Sequence, residues 1–426
     1  MLDINYIRNN ADLVKKAVVD KLMNADIDRL LALDVQIRES TAQIDAIRAE
    51  RNNLSKQTPH LNEIEKSAAI ERVKAIKGEL SVLEGRLSAL KKEFDDIMLM
   101  VPSVPAPEVP IGKDDGDNVE IRRWGNIPEF GFTPKDHLEL AESLDLIDIP
   151  RAVKFAGSRS YFLKNEGALL EMAVCRFVID KLSSKGFTPI TVPLMVRESA
   201  MQGTGYFPIG YEQAYKIPED DLFLIGTSEV ALVSYHQNEV LNSGELPKRY
   251  AGYSTCFRRE AGTYGKDTRG LYRVHQFQKV EQVILCRADD EEAARLHDEI
   301  LNNTEEILQA LELPYRVALA CTGEIGIGQV RKHEVETWMP SRNNYCETHS
   351  CSTLNDFQAR RSNIKYRDAD GTLKYVYTLN NTGIASPRIL IPLLEIHQNA
   401  DGSVNIPKAL RPYMNNMEKI VPKKQQ

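Results

Sequence analysis

The chain lacks several features that would have classified it quickly. Its 426 residues hold six cysteines and no CxxC pair, so no disulfide framework underlies the fold. No run approaches the roughly 18 apolar residues of a membrane span. The N-terminal MLDINYIRNNADLVKKAV has no apolar signal core and carries Asp3 and Asp12, unlike a transit peptide. No membrane association is expected, and the cytoplasm is the expected compartment. The formal charge of −7 gives no global nucleic-acid signature, so RNA binding would need a local surface. A P-loop is missing, and Gly323, Gly326 and Gly328 in TGEIGIGQ lack the spacing of a dinucleotide loop. These glycines are expected to supply backbone flexibility. What is present is ordinary for a soluble globular chain of two or three domains, at 42% hydrophobic and 27% charged residues.

The first positive signal is periodic. Val73, Ile76, Leu80, Leu83, Leu87, Leu90, Phe94 and Ile97 follow at spacings of three and four, an a/d seam of nearly four heptads. Upstream, Leu30, Leu33, Ile37, Ile44, Ile47 and Leu54 form a second seam, with Ser40 and Arg51 as polar interruptions. Between them lies SKQTPHLNE, whose Pro59 stops a helix. The spacing predicts an antiparallel helical hairpin over about 27–98, each arm roughly 40 Å or longer. Periodicity alone fits a dimerising coiled coil equally well; the break at Pro59 favours a chain that folds back. Acidic and basic residues nearly balance along this arm. Arg38, Arg48, Arg51, Lys56 and Lys74 are candidate phosphate contacts, although scattered basic residues usually form a solvated face.

Residues 1–100 are therefore expected to form an N-terminal domain, and 101–119, with Pro102, Pro105, Pro107 and Pro110, an extended linker. From about 120 to 420 helices and strands alternate without regular crossovers. That texture predicts an α+β domain on a largely antiparallel sheet. The tail from 421 to 426 reads as disordered.

The densest cluster of charge is CFRREAGTYGKDTRGLYRVHQFQKVEQ. Arg258 and Glu260 are two apart, so on a strand they would share a face, as would Phe277, Lys279 and Glu281 on the returning strand. A core does not need that many charges on facing strands, because unpaired buried charge is costly. A plain ion-pair network is the simpler alternative.

FRRE, a loop and RVHQFQKVE resemble motif 2 of class II aminoacyl-tRNA synthetases, in the form found in seryl-tRNA synthetases. GFTPITVPLMVRESAMQGTGYFP is similar to their motif 1, GTSEVAL to their serine-binding segment, ETHSCSTLNDFQARR to their ATP and metal segment, and LNNTGIASPRIL to motif 3. The likeness runs through essentially the whole chain in order.

That resemblance implies a class II catalytic domain preceded by a tRNA-binding coiled-coil arm. It also implies activation of L-serine by ATP, transfer to tRNA(Ser) with tRNA(Sec) as a second candidate acceptor, and a homodimer through motif 1. Activation brings a carboxylate to a phosphate, so cations aimed at both are needed. By family pattern Arg258 contacts the α-phosphate and the substrate carboxylate, and Arg388 the far end of the nucleotide. Arg259, Glu260, Thr348 and His349 join the ATP site, and Glu347 and Ser350 hold Mg²⁺ as well as ATP. Thr227, Ser228, Glu229, Glu281 and Thr382 are the implied serine contacts, with Arg258. Buried polar partners would reject alanine and glycine by hydrogen bonds left unmade, and threonine by steric closure.

Motif 3 departs from the usual pattern at Asn381, Thr382 and Pro387. Thr382 keeps a hydroxyl but adds a methyl, and Pro387 removes a backbone N–H beside Arg388. Cys346, His349 and Cys351 suggest zinc, but strand alternation turns Cys346 away from the other two and no fourth ligand is evident. No zinc is expected. The same alternation lets Glu347 and Ser350 share a metal only across a bend or bulge. Three rivals remain: a ligase charging a carrier protein, which would lack the complete arm; an inactive RNA-binding relative, which would have lost Arg258, Glu281 or Arg388; and a coiled-coil scaffold, which leaves 120–420 unexplained.

Overall fold

The computed structural model describes residues 1–262 and 270–423. The middle of the motif 2 loop, 263–269, and the last three residues of the tail lie outside the described residues. The chain divides into two compact units, residues 2–102 and residues 103 onward.

In the first unit two short helices, α1 (Ile4–Asn9) and α2 (Ala11–Asp20), precede two long ones, α3 (Ile27–Gln57) and α4 (Glu63–Met98). Asp26 caps α3 by accepting from the Arg29 N–H. Asn62 and Glu65 form a reciprocal capping box at the start of α4. Helix α3 begins at Ile27, just before Leu30, and continues past Leu54 through Ser55 to Gln57, and the reversal is a single 3₁₀ turn at Thr58–His60 containing Pro59. The predicted seams meet: Ile44, Ile76 and Leu80 are buried together, with Ile47, Leu54, Leu83 and Leu87 packed around them. Ser40 is buried in the same seam. Arg29–Glu93, Arg48–Glu84 and Arg72–Glu50 bridge the helices at 2.7, 2.7 and 2.8 Å. Each such exposed pair contributes well under about 1 kcal/mol, against about 1.5–3 kcal/mol for a buried Ile or Leu. The apolar seam therefore holds the hairpin, and the ion pairs fix its register.

The second unit is built on an eight-stranded sheet. Its strands are β1 (Val119–Trp124), β2 (Thr188–Thr191), β3 (Lys248–Phe257), β4 (Gln276–Cys286), β5 (Tyr315–Leu319), β6 (Arg331–Met339), β7 (Asn344–Asn355) and β8 (Tyr377–Ser386). Their spatial order is β1-β5-β6-β7-β8-β4-β3-β2, antiparallel throughout except for the parallel edge pair β2·β3. Helices α5 (Asn165–Ser184) and α7 (Asp290–Ala310) cover one face, and α6 (Glu229–Ser234) packs on the other, Leu232 and Val233 against Val283 and Leu285. The core forms where Val178 and Leu182 of α5 and Leu296 and Ile300 of α7 meet Val280, Ile284 and Ile384 of the sheet. On the opposite face of β4, Val283 and Leu285 join a second apolar cluster, while Lys279 and Glu281 further up the strand are polar. None of the described helices is long and apolar enough to cross a membrane.

One expectation is refined and another corrected. The stretch 101–119 is without helix until its 3₁₀ turn at Asp115–Asp117, and from Ser103 on its backbone is anchored within the second unit. The N–H groups of Ser103 and Ala106 donate to the carbonyls of Ile327 and Val330, and Val109 packs on Ala320 and Ile325. Its prolines rule out helix, but extended backbone can still dock on a partner that supplies acceptors. Two of the three glycines of TGEIGIGQ, Gly323 and Gly328, act otherwise than expected. A Cβ on Gly323 would lie 2.3 Å from the Lys113 carbonyl, and one on Gly328 2.5 Å from the Phe357 ring. They permit close approach of that docked segment and of a neighbouring side chain, not flexibility.

Candidate active site

Two bulges shape the polar face of the sheet. On β8 the pairing with β4 skips Gly383, which stands between Thr382, opposite Glu281, and Ile384, opposite Val280. The extra residue resets the alternation: Asn381 points to α7, Thr382 to the cavity, and Ile384 again to the core. On β7 the pairing with β6 skips Thr348, between Glu347 and His349. Glu347 and Ser350, three apart, consequently both line one cavity. This is the bulge that a shared metal would require of them. Cys346 and Cys351 go to two different apolar clusters, and among the described residues no three His, Cys, Asp or Glu converge on a metal position.

The cavity has a volume of about 490 Å³, and four cations enter its wall: Arg258, Arg273, Lys279 and Arg388. They face Glu260 and Glu347, so positive charge is in excess. Arg258 does not lie on a strand with Glu260, as the spacing suggested, because β3 ends at Phe257 and Glu260 has φ 53°. The left-handed backbone at Glu260 brings both side chains to the cavity without strand alternation. Arg258 donates to the Gly226 carbonyl at 3.3 Å, and its guanidinium stands 5.3 Å from the Phe277 ring centroid. Arg388 donates to the carbonyls of Tyr272 and Glu347 at 3.2 and 3.0 Å and lies 4.4 Å from the Tyr272 ring centre. Cation–π packing and carbonyl acceptors hold both guanidinium planes before any ligand arrives. Burial pushes the Glu347 carboxyl up, but Lys332, Arg388 and Arg258 outweigh it and hold it below its usual range. Burial drives His349 down to about 3, so its imidazole is neutral, with Nδ1 2.9 Å from the Thr348 hydroxyl. Arg259 is exposed and reaches the Glu212 carbonyl at 3.3 Å, outside the cavity wall.

Glu281 and Thr227 are buried and Glu229 is half-buried; none of the three lines the cavity wall, but Glu281 stands beside the wall residues Lys279 and Arg258. Glu229 accepts from Gln358 Nε2 at 2.7 Å and Asn380 Nδ2 at 2.8 Å. Burial, with the Glu281 charge nearby, pushes Glu229 up to about 7. Burial also raises Glu281, opposed by Lys279, Arg258 and the Thr227 hydroxyl. Ser228 turns the other way, its hydroxyl donating to the Gly252 carbonyl at 3.2 Å. Asn381 is equally remote from the cavity, bonded to Ile300 O and the Thr304 hydroxyl on α7, while Thr382 and Pro387 line the wall.

Sequence reasoning passed over Arg273, Gln358 and Asn380 as site residues, and noted Lys279 without giving it a role. Arg273 sits 3.5 Å from Glu260 across the loop, a pairing no spacing rule reveals. Asn380 could have been found, since it precedes two singled-out positions on one strand.

In the arm, Arg48 is paired with Glu84 and Arg38 with Asp34 at 3.3 Å. Arg51 donates to Asn52 at 3.4 Å, and Lys56 and Lys74 are exposed. The five candidates thus spread along two helices without forming one patch.

Residues 213–397 match the family model described as the tRNA synthetase class II core domain (G, H, P, S and T), and residues 1–105 the seryl-tRNA synthetase N-terminal domain. The chain is 48% identical over 418 residues to a serine–tRNA ligase of Deinococcus radiodurans, covering 98% of both chains. It is 43% identical to that of Dictyoglomus turgidum over the whole of each chain. Its structure is similar to that of a seryl-tRNA synthetase from Pyrococcus horikoshii complexed with ATP, at TM-score 0.90 and 39% identity over 100% of both chains.

Proposed function

The chain belongs to the seryl-tRNA synthetase family and is a serine–tRNA ligase, and from that premise we propose how its residues divide the work. ATP binds in the cation-walled cavity, a binding that the ATP complex of the Pyrococcus relative supports for this chain. The observation that carries the assignment is the excess of Arg258, Arg273 and Arg388 over Glu260 and Glu347, the charge of Lys279 being met by Glu281, an environment built for a polyanion. Arg258 bridges the serine carboxylate and the α-phosphate, offsetting the repulsion of two anions as the carboxylate oxygen attacks phosphorus and pyrophosphate leaves. Arg388 steadies the leaving phosphates, and Glu260 takes the nucleoside side.

Glu347 and Ser350 offer one carboxylate and one hydroxyl to the same space, a donor pair that fits Mg²⁺ completed by phosphate oxygens. When bound there, the ion would screen phosphate charge. Serine's ammonium is received by Glu229 and Glu281 and its hydroxyl by Thr227 and Thr382. The second half-reaction joins the seryl carbonyl to the terminal ribose hydroxyl of tRNA(Ser). The helical hairpin is the tRNA grip, reading duplex shape and backbone instead of base edges, which suits an arm without a concentrated basic patch. A cytoplasmic homodimer formed through the motif 1 segment completes the proposal, and tRNA(Sec) is a further acceptor to assay.

Amino-acid-dependent pyrophosphate exchange tests the substrate assignment. Serine should support exchange at least about a hundredfold better in kcat/KM than threonine, alanine or glycine. Exchange with none of them, or threonine matching serine, would overturn it.

A further inference from the structure

Resting on the reading that Glu229 and Glu281 receive the ammonium of serine, we propose that Lys279 is a positioning residue for serine. Its ammonium, held against Glu281 in the cavity wall, keeps that carboxylate ionised and oriented, so that the substrate amine meets two anions.

The geometry points this way on three counts. Lys279 and Glu281 lie two apart on β4, on the face opposite the apolar core, and Lys279 Nζ contacts Glu281 Oε2. Their side chains are only 9% and 2% exposed. A buried ion pair is seldom the most stable filling for such a position, since apolar side chains of similar size serve as well or better. The fold therefore does not require this pair. Second, Glu281 lies close enough to Glu229 for their charges to interact, and two buried carboxylates side by side drive one toward its protonated form. Glu229 is held by the neutral amides of Gln358 and Asn380, which orient it but bring no charge.

Third, the other groups facing Glu281 do not replace Lys279. From the loop before α6 comes the Thr227 hydroxyl, and from α6 itself Glu229; β3 and the turn after it bring Cys256 and Arg258, and β7 brings Cys351. The cations acting on Glu281 are Lys279 and Arg258, and Arg258 is engaged with the Gly226 carbonyl and the Phe277 ring. Without Lys279, Glu281 would face burial, a neighbouring anion and one cation held elsewhere. A protonated Glu281 could still accept a hydrogen bond, but it would offer the ammonium no charge.

The test is pyrophosphate exchange on the full-length chain, with serine and ATP varied separately between pH 6 and 8.5. In the wild type, KM for serine rises on the acid side. In Lys279→Met that rise should begin about one pH unit higher, with KM for serine at pH 7.5 up about tenfold. KM for ATP should stay within about threefold, and Lys279→Arg should keep the wild-type profile. The sign follows from the cause: removing the cation raises the Glu281 pKa, so the anion forms only at higher pH. If Lys279→Met misfolds by thermal melt, Lys279→Gln takes its place. In a Glu281→Gln background the lysine substitution should add little, as two residues acting through one contact are not additive.

An acid limb that superimposes on the wild type, equal losses in KM for ATP and serine, or full additivity with Glu281→Gln would each overturn the proposal. Wild-type protein without serine-dependent exchange would instead overturn the function reading, so the two failures are distinguishable.

Discussion

Along the arm, Arg29, Arg48 and Arg72 each pair with a glutamate of the facing helix where solvent reaches both partners, their side chains 41–49% exposed. In the cavity, Lys279 and Glu281 pair where almost no water reaches. The residue types are alike and the energetics are not. An exposed pair is screened by water and salt and can be lost at little cost. A buried pair is costly to assemble and more costly to break, so it persists where chemistry needs a charge in a fixed place. The arm's stability rests on a thin seam of Ile and Leu, whereas the body surrounds its charges with a core drawn from several helices and the inner strands of the sheet. Each half should therefore be breakable without the other.

The largest effect should come from Arg258→Ala. Removing the half-buried guanidinium from the meeting point of two anions should lower serine-dependent pyrophosphate exchange by about a thousandfold or more, with the melting profile of the arm unchanged. Near-normal exchange would remove Arg258 from its assigned role.

Acidification should act next, and on the body alone. Glu229, pushed up to about 7 by burial and the Glu281 charge, loses its charge as pH falls through that value. KM for serine should then rise by up to about tenfold per pH unit below 7, and Glu229→Gln should raise KM at pH 8 while flattening that limb. A serine KM that is constant from pH 8 to 6 would place the ammonium contact elsewhere.

Smallest for catalysis is a lesion in the arm's seam. Ile76 is fully buried, and Ile76→Ala should destabilise the hairpin by about 2–4 kcal/mol. The measurable results are faster hydrogen exchange in α3 and α4 and a several-fold loss of tRNA charging, with pyrophosphate exchange unaltered. Equal losses in both activities would show that the two units are energetically coupled.

Periodicity made the arm legible because a two-helix seam has one interface and one repeat. Ile44, Ile76 and Leu80 meet as their spacing requires. The body's strands around Arg258, Glu281 and Thr382 were equally visible, since alternation and motif order survive in one dimension. What alternation could not give were its exceptions. The bulges at Gly383 and Thr348 depend on how neighbouring strands pair, and the left-handed Glu260 on a loop closing. Gln358 and Asn380 reach Glu229 from far along the chain, a contact that only the folded sheet creates. The docking of Ser103 and Ala106 was hidden by the same proline content that suggested a linker.

The division of labour is tested most directly by shortening the arm. Excising residues 46–78 and closing α3 to α4 with a short turn removes the distal hairpin and keeps its base. Pyrophosphate exchange with serine should stay within about twofold of the wild type, while kcat/KM for charging tRNA(Ser) falls by about a hundredfold or more. Charging that survives the excision intact would contradict the account.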